Sequence, residues 1–166
     1  MQESATVDRL FELAIAAEEA AEALYCGLAA KFVDHPQVAE FWQEYAHEER
    51  THAAWLRRFR KSLPPEDLHT PADPLTLQRA QRSLELSVDH ALAEVEDLED
   101  AYRLVNDLEN SETNAVFSFL IDNFATDDEI QDFLRSQLRD HTMKLMQEFP
   151  EEYSTPGIRR QVEAAA

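Results

Sequence analysis

The sequence predicts an all-α protein: four main helices in two hairpins, joined by a proline-rich crossover, with a short extra helix before the last long one. Three observations carry this. There are only two glycines in 166 residues, and the abundant Ala, Leu, Glu and Gln are strong helix formers. Apolar residues recur at three- and four-residue spacing along most of the chain. Four of the seven prolines, Pro64, Pro65, Pro71 and Pro74, fall in one stretch that cannot be a helix interior. A hydrophobic content of 44% in this length supplies one core and one domain. The expected division is a bundle over residues 1–149 and a loosely held C-terminal tail over 150–166.

The first helix is capped by Ser4 or Thr6 and runs to about Phe32, burying Val7, Leu10, Ala14, Ala21, Leu24 and Leu28. Asp34-His35-Pro36 ends it, and a second helix starts near Pro36 with Val38, Phe41, Trp42, Tyr45, Leu56 and Phe59 on one side. After the Pro64–Pro74 connection, the periodicity predicts a third helix from about Thr76 to Glu109, its seam formed by Leu84, Val88, Ala91, Val95, Leu98 and Tyr102. Thr113 to Phe124 reads as the short extra helix. Thr126-Asp127-Asp128-Glu129 has the spacing of a capping box and opens a fourth helix ending near Phe149-Pro150, with Leu134, Leu138, His141 and Leu145 inward.

The balance of 34 acidic against 15 basic residues gives a net charge of −19, which repels phosphate backbones and anionic lipid surfaces. Nucleic acid and membrane are therefore excluded as expected partners. The acids are scattered along helices, as on an ordinary solvated exterior. Cys26 is the only cysteine, so there is no internal disulfide and no Cys-x-x-Cys metal site, and its apolar neighbours suggest a packing role. Met1-Gln2-Glu3-Ser4 lacks the basic and apolar regions of a signal peptide, and no apolar run approaches the roughly 20 residues of a membrane span. The expected location is the cytoplasm.

On the second helix, Glu49 projects to the centre of the apolar seam and His52 falls on the same face, one turn on. A carboxylate and an imidazole so placed suit iron, zinc or manganese. Glu44 and His47 share the spacing but point outward. On the first helix, Glu18 follows Leu10 and Ala14 on the inward face. Buried acids and a buried imidazole need partners or a cation. The competing reading is that Glu18, Glu49 and His52 bond only to each other or to Tyr25 and Tyr45. His35, His69 and His90 have structural explanations, and Trp42, Trp55, Phe117 and Phe119 read as core.

Glu18 seven residues before Tyr25, then Phe41-Trp42 and Glu48-Glu49-Arg50-Thr51-His52, resemble the rubrerythrin branch of the ferritin-like superfamily. The resemblance implies a ferritin-like four-helix bundle with a di-iron site, formed by one Glu from each of two helices and a Glu-x-x-His from each of the others. Glu18, Glu49 and His52 match the first half. In the second half, pairing Tyr102 with Tyr25 and His141 with His52 puts Val95 in the place of Glu18 and Leu138 in the place of Glu49, so two carboxylates are missing. A π-bulge would turn Glu94 inward. In a regular helix Glu94 borders the seam, Asp97 faces solvent and Val95 is inward.

The retained ligands Glu18, Glu49, His52 and His141 then imply a degenerate site holding one iron, or zinc or manganese, with peroxide- or oxygen-linked redox activity. Electrons would come from a separate donor, and the family makes a homodimer plausible. The alternative is a metal-free, non-catalytic bundle serving assembly or partner binding.

Overall fold

The computed structural model of the protein describes residues 5–166. The readings of Ser4 as a cap and of the first four residues as unlike a signal peptide lie outside them. The described residues hold no β-strand, only two isolated bridges, Thr6 with Pro71 and Asp97 with Glu163.

Helix α1 (Val7–Lys31) is capped by the Thr6 side chain, which accepts from the Arg9 N–H, and α2 (Pro36–Ser62) opens on its proline. They form the expected hairpin, and ion pairs tie their outer faces: Arg50 to Glu22 at 2.6 Å, Arg60 to Asp8 at 2.6 Å, and Arg57 to Glu19. The proline-rich connection is extended apart from a single turn, α3 (Pro65–Leu68). It runs beside the start of α1, with Val7 N–H donating to the Thr70 carbonyl and Ala72 N–H to the Ala5 carbonyl.

The expected continuous helix over 76–109 is replaced by three pieces: α4 (Pro74–Ser83), α5 (Val88–Ala93) and α6 (Leu98–Glu109). Side-chain caps explain the breaks. Ser87 accepts from the His90 N–H and Asp97 from the Asp100 N–H, each starting a new helix where periodicity alone would continue the old one. The expected short helix is present as α7 (Glu112–Phe124), and the last long helix is α8 (Asp128–Glu148), capped by Asp127.

Two apolar clusters show how these pieces cross the molecule. One end of the bundle holds Leu10, Phe11, Leu56, Phe59, Leu77, Ala80, Phe117, Leu120 and Leu134. The other holds Tyr25, Leu28, Phe32, Trp42, Tyr45, Leu98, Val105 and Leu145. Thus α6 lies at the second end and α7 at the first, and together they make one traverse, interrupted only at Asn110-Ser111. The ascent before it is made by α4 and α5, so the crossover spans far more than its prolines. Gly27 lets α5 lie close on α1: a Cβ there would stand 2.3 Å from Leu92 Cδ1.

Residues 150–166 are docked against the bundle, contrary to the loosely held tail expected. They form a 3₁₀ turn (Glu151–Tyr153) and α9 (Pro156–Arg159). Leu98 N–H donates to the Val162 carbonyl, Ala164 N–H to that of Glu96 and Ala165 N–H to that of Lys31. Arg159 is buried, 2.5 Å from Glu99 Oε2 and stacked 3.9 Å above the Tyr102 ring. Cys26, expected to pack, is exposed.

Candidate metal centre

Between the two apolar clusters lies a polar layer. On α1 the core passes from Ile15 to Glu18 to Ala21; on α2 from Ala46 through Glu49 and His52 to Leu56; on α8 from Leu134 through His141 to Leu145. Heptad spacing that would place leucines there places acids and imidazoles instead. All four expected ligands, Glu18, Glu49, His52 and His141, are at most 3% exposed, and the fold brings them to one place.

His52 Nδ1 lies 3.0 Å from Glu49 Oε2 and 3.7 Å from Glu18 Oε2. His141 Nε2 lies 3.2 Å from Glu49 Oε1 and 3.1 Å from Glu109 Oε2. The two imidazoles meet edge to face, centroids 4.9 Å apart. One ligand atom from each of Glu49, His52 and His141 falls within 4.8 Å of the others. Phe117 closes the layer over His52, and Tyr45 stands against His141.

Glu109 is the carboxylate that sequence reasoning missed. It ends α6, is buried, and accepts a hydrogen bond from the Tyr25 hydroxyl. Val95 does not take the place opposite Glu18 that the tyrosine pairing assigned to it. It packs with the second apolar cluster, its carbonyl accepting from Lys31 Nζ at the far end of α1. Tyr102 packs on Phe149 and under Arg159. Glu94 is exposed beside His90, and Asp97 is spent as the cap of α6. The face formed by Leu98, Ala101 and Val105 projects onto Glu109, which was the available signal. Leu138 is half-buried in the first apolar cluster, so the carboxylate one turn before His141 is absent.

Electrostatics in the layer follow from burial and mutual pairing. Burial, with the charge of Glu49 next to it, pushes the Glu18 carboxyl up to about 8. Burial works against the charge of Glu49, yet its contacts with His141 and His52 outweigh this and hold it below the usual carboxylate range. Burial likewise opposes the charge on His52, but Glu18 and Glu49 raise it to about 9. His141 is raised as well, its contacts with Glu109, Glu48 and Glu49 outweighing burial.

Within this layer two buried atoms, Glu18 Oε2 and His141 Nε2, make no hydrogen bond. The nitrogen is within 3.2 Å of two carboxylate oxygens but badly angled toward both. Converging carboxylates and imidazoles with bonding capacity left unused are what an incoming cation needs once it displaces their protons, and this set of donors suits iron, manganese or zinc. The residues present therefore fit a metal ion. Glu44 and His47 are exposed, as their outward projection requires. A cleft of about 350 Å³ between α2 and α8, lined by His47, Glu48, Thr51, Asp140 and Lys144, reaches both imidazoles from solvent.

Among the described residues no helix is long and apolar enough to cross a membrane. No curated protein and no solved structure matches the chain. The Rubrerythrin family model matches residues 10–123, which contain Glu18, Glu49, His52 and Glu109 but stop short of α8. With more than half its length matched and its acids and imidazoles gathered in the middle of an all-α bundle, the chain belongs to the rubrerythrin family.

Proposed function

We propose that this bundle binds one iron ion through Glu49, His52 and His141, with Glu18 and Glu109 as flanking carboxylates, and uses it in reduction of peroxide or oxygen. The observation that carries this reading is the convergence of those three side chains within 4.8 Å in a buried layer. Zinc or manganese suits the same donors. Bound iron would supply the electron transfer. The chain's own part is to exclude bulk water with Phe117, Tyr45 and the two apolar clusters, and to hold a proton on Glu18, whose carboxyl stays protonated to about pH 8 before metal enters. The α2–α8 cleft admits a small polar molecule.

The reading to one ion rests on Leu138. A second ion needs a bridging carboxylate one turn before His141, and leucine supplies none. With a single cysteine the chain has no metal-thiolate relay of its own, so a separate cytoplasmic donor protein or small molecule must deliver electrons.

A metal-free polar core is the second reading, favoured by the direct pairing of both imidazoles with carboxylates. Elemental analysis after anaerobic reloading with ferrous iron separates the two. One iron per chain is the expected result; two would mean that Glu18 and Glu109 complete a second position without Leu138. None after loading would overturn the metal reading and leave the polar core.

A further inference from the structure

Beside the candidate centre stands a residue with no ligand role, Glu48, that pairs with two buried groups of α8. It precedes Glu49 on α2 and turns about 100° away from it. Its two oxygens serve two groups on α8. Oε2 lies 2.5 Å from His141 Nδ1, and Oε1 lies 3.1 Å from the ammonium of Lys144. Lys144 also reaches Glu44 at 3.0 Å and Glu148 at 3.1 Å, and lies over the Phe41 and Tyr45 rings.

The arrangement has a directional consequence. An ionised carboxylate only accepts, so His141 Nδ1 must carry the proton and donate it. That leaves Nε2 as the ring atom facing Glu49 and Glu109. The same residue ties α8 to α2 through both of its oxygens. Only Leu134, His141, Lys144 and Leu145 of α8 are buried, and two of these four are polar side chains gripped by Glu48. Without Glu48 the ring loses its Nδ1 acceptor, and Lys144 keeps only Glu44 and Glu148.

We propose that Glu48 is the positioning residue of the centre: pinned by Lys144, it holds His141 as the Nδ1–H imidazole with Nε2 directed at the ligand atoms of α2 and α6. The part that concerns metal rests on the function proposed above; the orientation of His141 does not. Outer carboxylates that hold ligand imidazoles in this way typically change metal affinity by about 10–100-fold when removed.

The test uses the full-length chain with E48A and E48Q. Glutamine retains a carbonyl acceptor for Nδ1–H, whereas alanine retains none. Cobalt(II) is titrated and followed by visible absorption, and the imidazole Nδ1–H of His141 is followed by NMR on ¹⁵N-histidine-labelled, metal-free protein. The expected result is an Nδ1–H signal protected from solvent exchange in the parent and in E48Q and lost in E48A. Cobalt affinity falls about 10–100-fold in E48A and recovers most of that in E48Q. Equal protection of Nδ1–H in E48A would overturn the proposal, as would equal cobalt affinity in all three proteins. If the parent binds no cobalt, the metal reading fails, and the NMR comparison alone decides the role of Glu48. Circular dichroism melts of E48Q show whether its fold persists, so a failure of E48A to fold leaves E48Q and K144M to be read: K144M, which frees one oxygen of Glu48, is expected to weaken Nδ1–H protection, and unchanged protection would count against the clamp.

Discussion

The Tyr25 hydroxyl donates to Glu109, 84 positions further on, and in doing so ties the C-terminal third of α1 to the end of α6 beside the candidate centre. The phenol is fully buried, and burial together with the Glu109 charge holds its pKa above the ordinary value, so it remains a donor at every physiological pH. Tyr25 also stacks on Tyr45, ring centroids 4.6 Å apart, and Tyr45 in turn stands against His141.

Glu109→Ala should therefore cost stability and metal together. The phenol loses its acceptor and His141 Nε2 loses one of its two carboxylate neighbours, and an unsatisfied buried donor costs about 1–3 kcal/mol. Chemical denaturation and a ferrous-iron titration measure the two effects. Tyr25→Phe should reproduce only part of the loss in stability and leave most of the metal affinity, because it keeps the carboxylate. A Glu109→Ala protein with unchanged iron affinity would remove Glu109 from the centre.

The absent bridging carboxylate can be restored by one change. Leu138→Glu should raise iron occupancy above that of the parent chain, because Glu109 already supplies the carboxylate of the third traverse. Val95→Glu should add nothing to occupancy and should destabilise, since Val95 is only 4% exposed in the apolar cluster beyond the end of α5 and burying a carboxylate there is costly. Elemental analysis of both variants and the double variant checks this. Equal gains from the two single changes would contradict the placement of Val95.

Facing on α2 is tested by two pairs of alanine variants. Glu49→Ala and His52→Ala remove groups that converge on the site and should abolish binding. Glu44→Ala and His47→Ala alter exposed groups and should leave affinity within a few-fold. Isothermal titration with cobalt or ferrous iron distinguishes the pairs, and losses of equal size would refute the facing.

Why one half of the site was legible and the other was not can be argued from residue spacing. Between Val7 and His52 the apolar period is regular, so burial of Glu18, Glu49 and His52 follows from projection alone. His141 also followed, because α8 is regular. The third traverse did not, because Ser87 and Asp97 restart helices inside a stretch whose periodicity reads as continuous, and a local cap overrides a weak seam. A register clue was present: His52 and His141 are 89 positions apart and Glu18 and Glu109 are 91 apart, whereas Val95 is only 77 from Glu18. The docking of Arg159 under Glu99 had no such signal, since a lone Arg after a proline turn carries no period.

Stability of the metal-free protein should depend on pH in a direction set by Glu18 and His52. Both have folded-state values, about 8 and about 9, above their ordinary 4.5 and 6.5, so the folded chain binds more protons than the unfolded one between those limits. Their contribution is present in full below the ordinary values and is lost as pH rises through about 8 to 9. Glu49 acts in the opposite sense: its lowered value gives stability that is lost when acid protonates it. Urea midpoints of metal-free protein should therefore fall from pH 6.5 to pH 9.5. Metal binding must displace these protons, so iron affinity should rise over the same interval and the loaded protein should show a flatter profile. A metal-free midpoint that rises with pH would contradict the pairing described for the layer.

The C-terminal segment makes the last prediction, and its argument is one of uncompensated charge. Arg159 is 5% exposed and Glu99 equally so; their 2.5 Å pair is supported by donation from Arg159 to the Tyr153 and Ser154 carbonyls. Removing one member of a buried pair costs about 3–5 kcal/mol because the other is left charged and dry. Arg159→Ala leaves Glu99 with Arg103, at 3.2 Å, as a partly exposed substitute, so the loss should fall toward the lower end of that range. Arg159→Ala combined with Glu99→Leu removes both charges and should recover part of the stability, the signature of an uncompensated carboxylate rather than of lost packing. Deleting residues 150–166 should cost more than Arg159→Ala, because Val162 leaves the core and the Leu98 N–H loses its acceptor at the start of α6. Since α6 carries Glu109, the deletion should also weaken iron binding from a distance. Urea denaturation of the three proteins, with iron titration of the truncated one, measures each step; a truncated chain as stable as the parent would mean that the segment lies on the bundle without holding it.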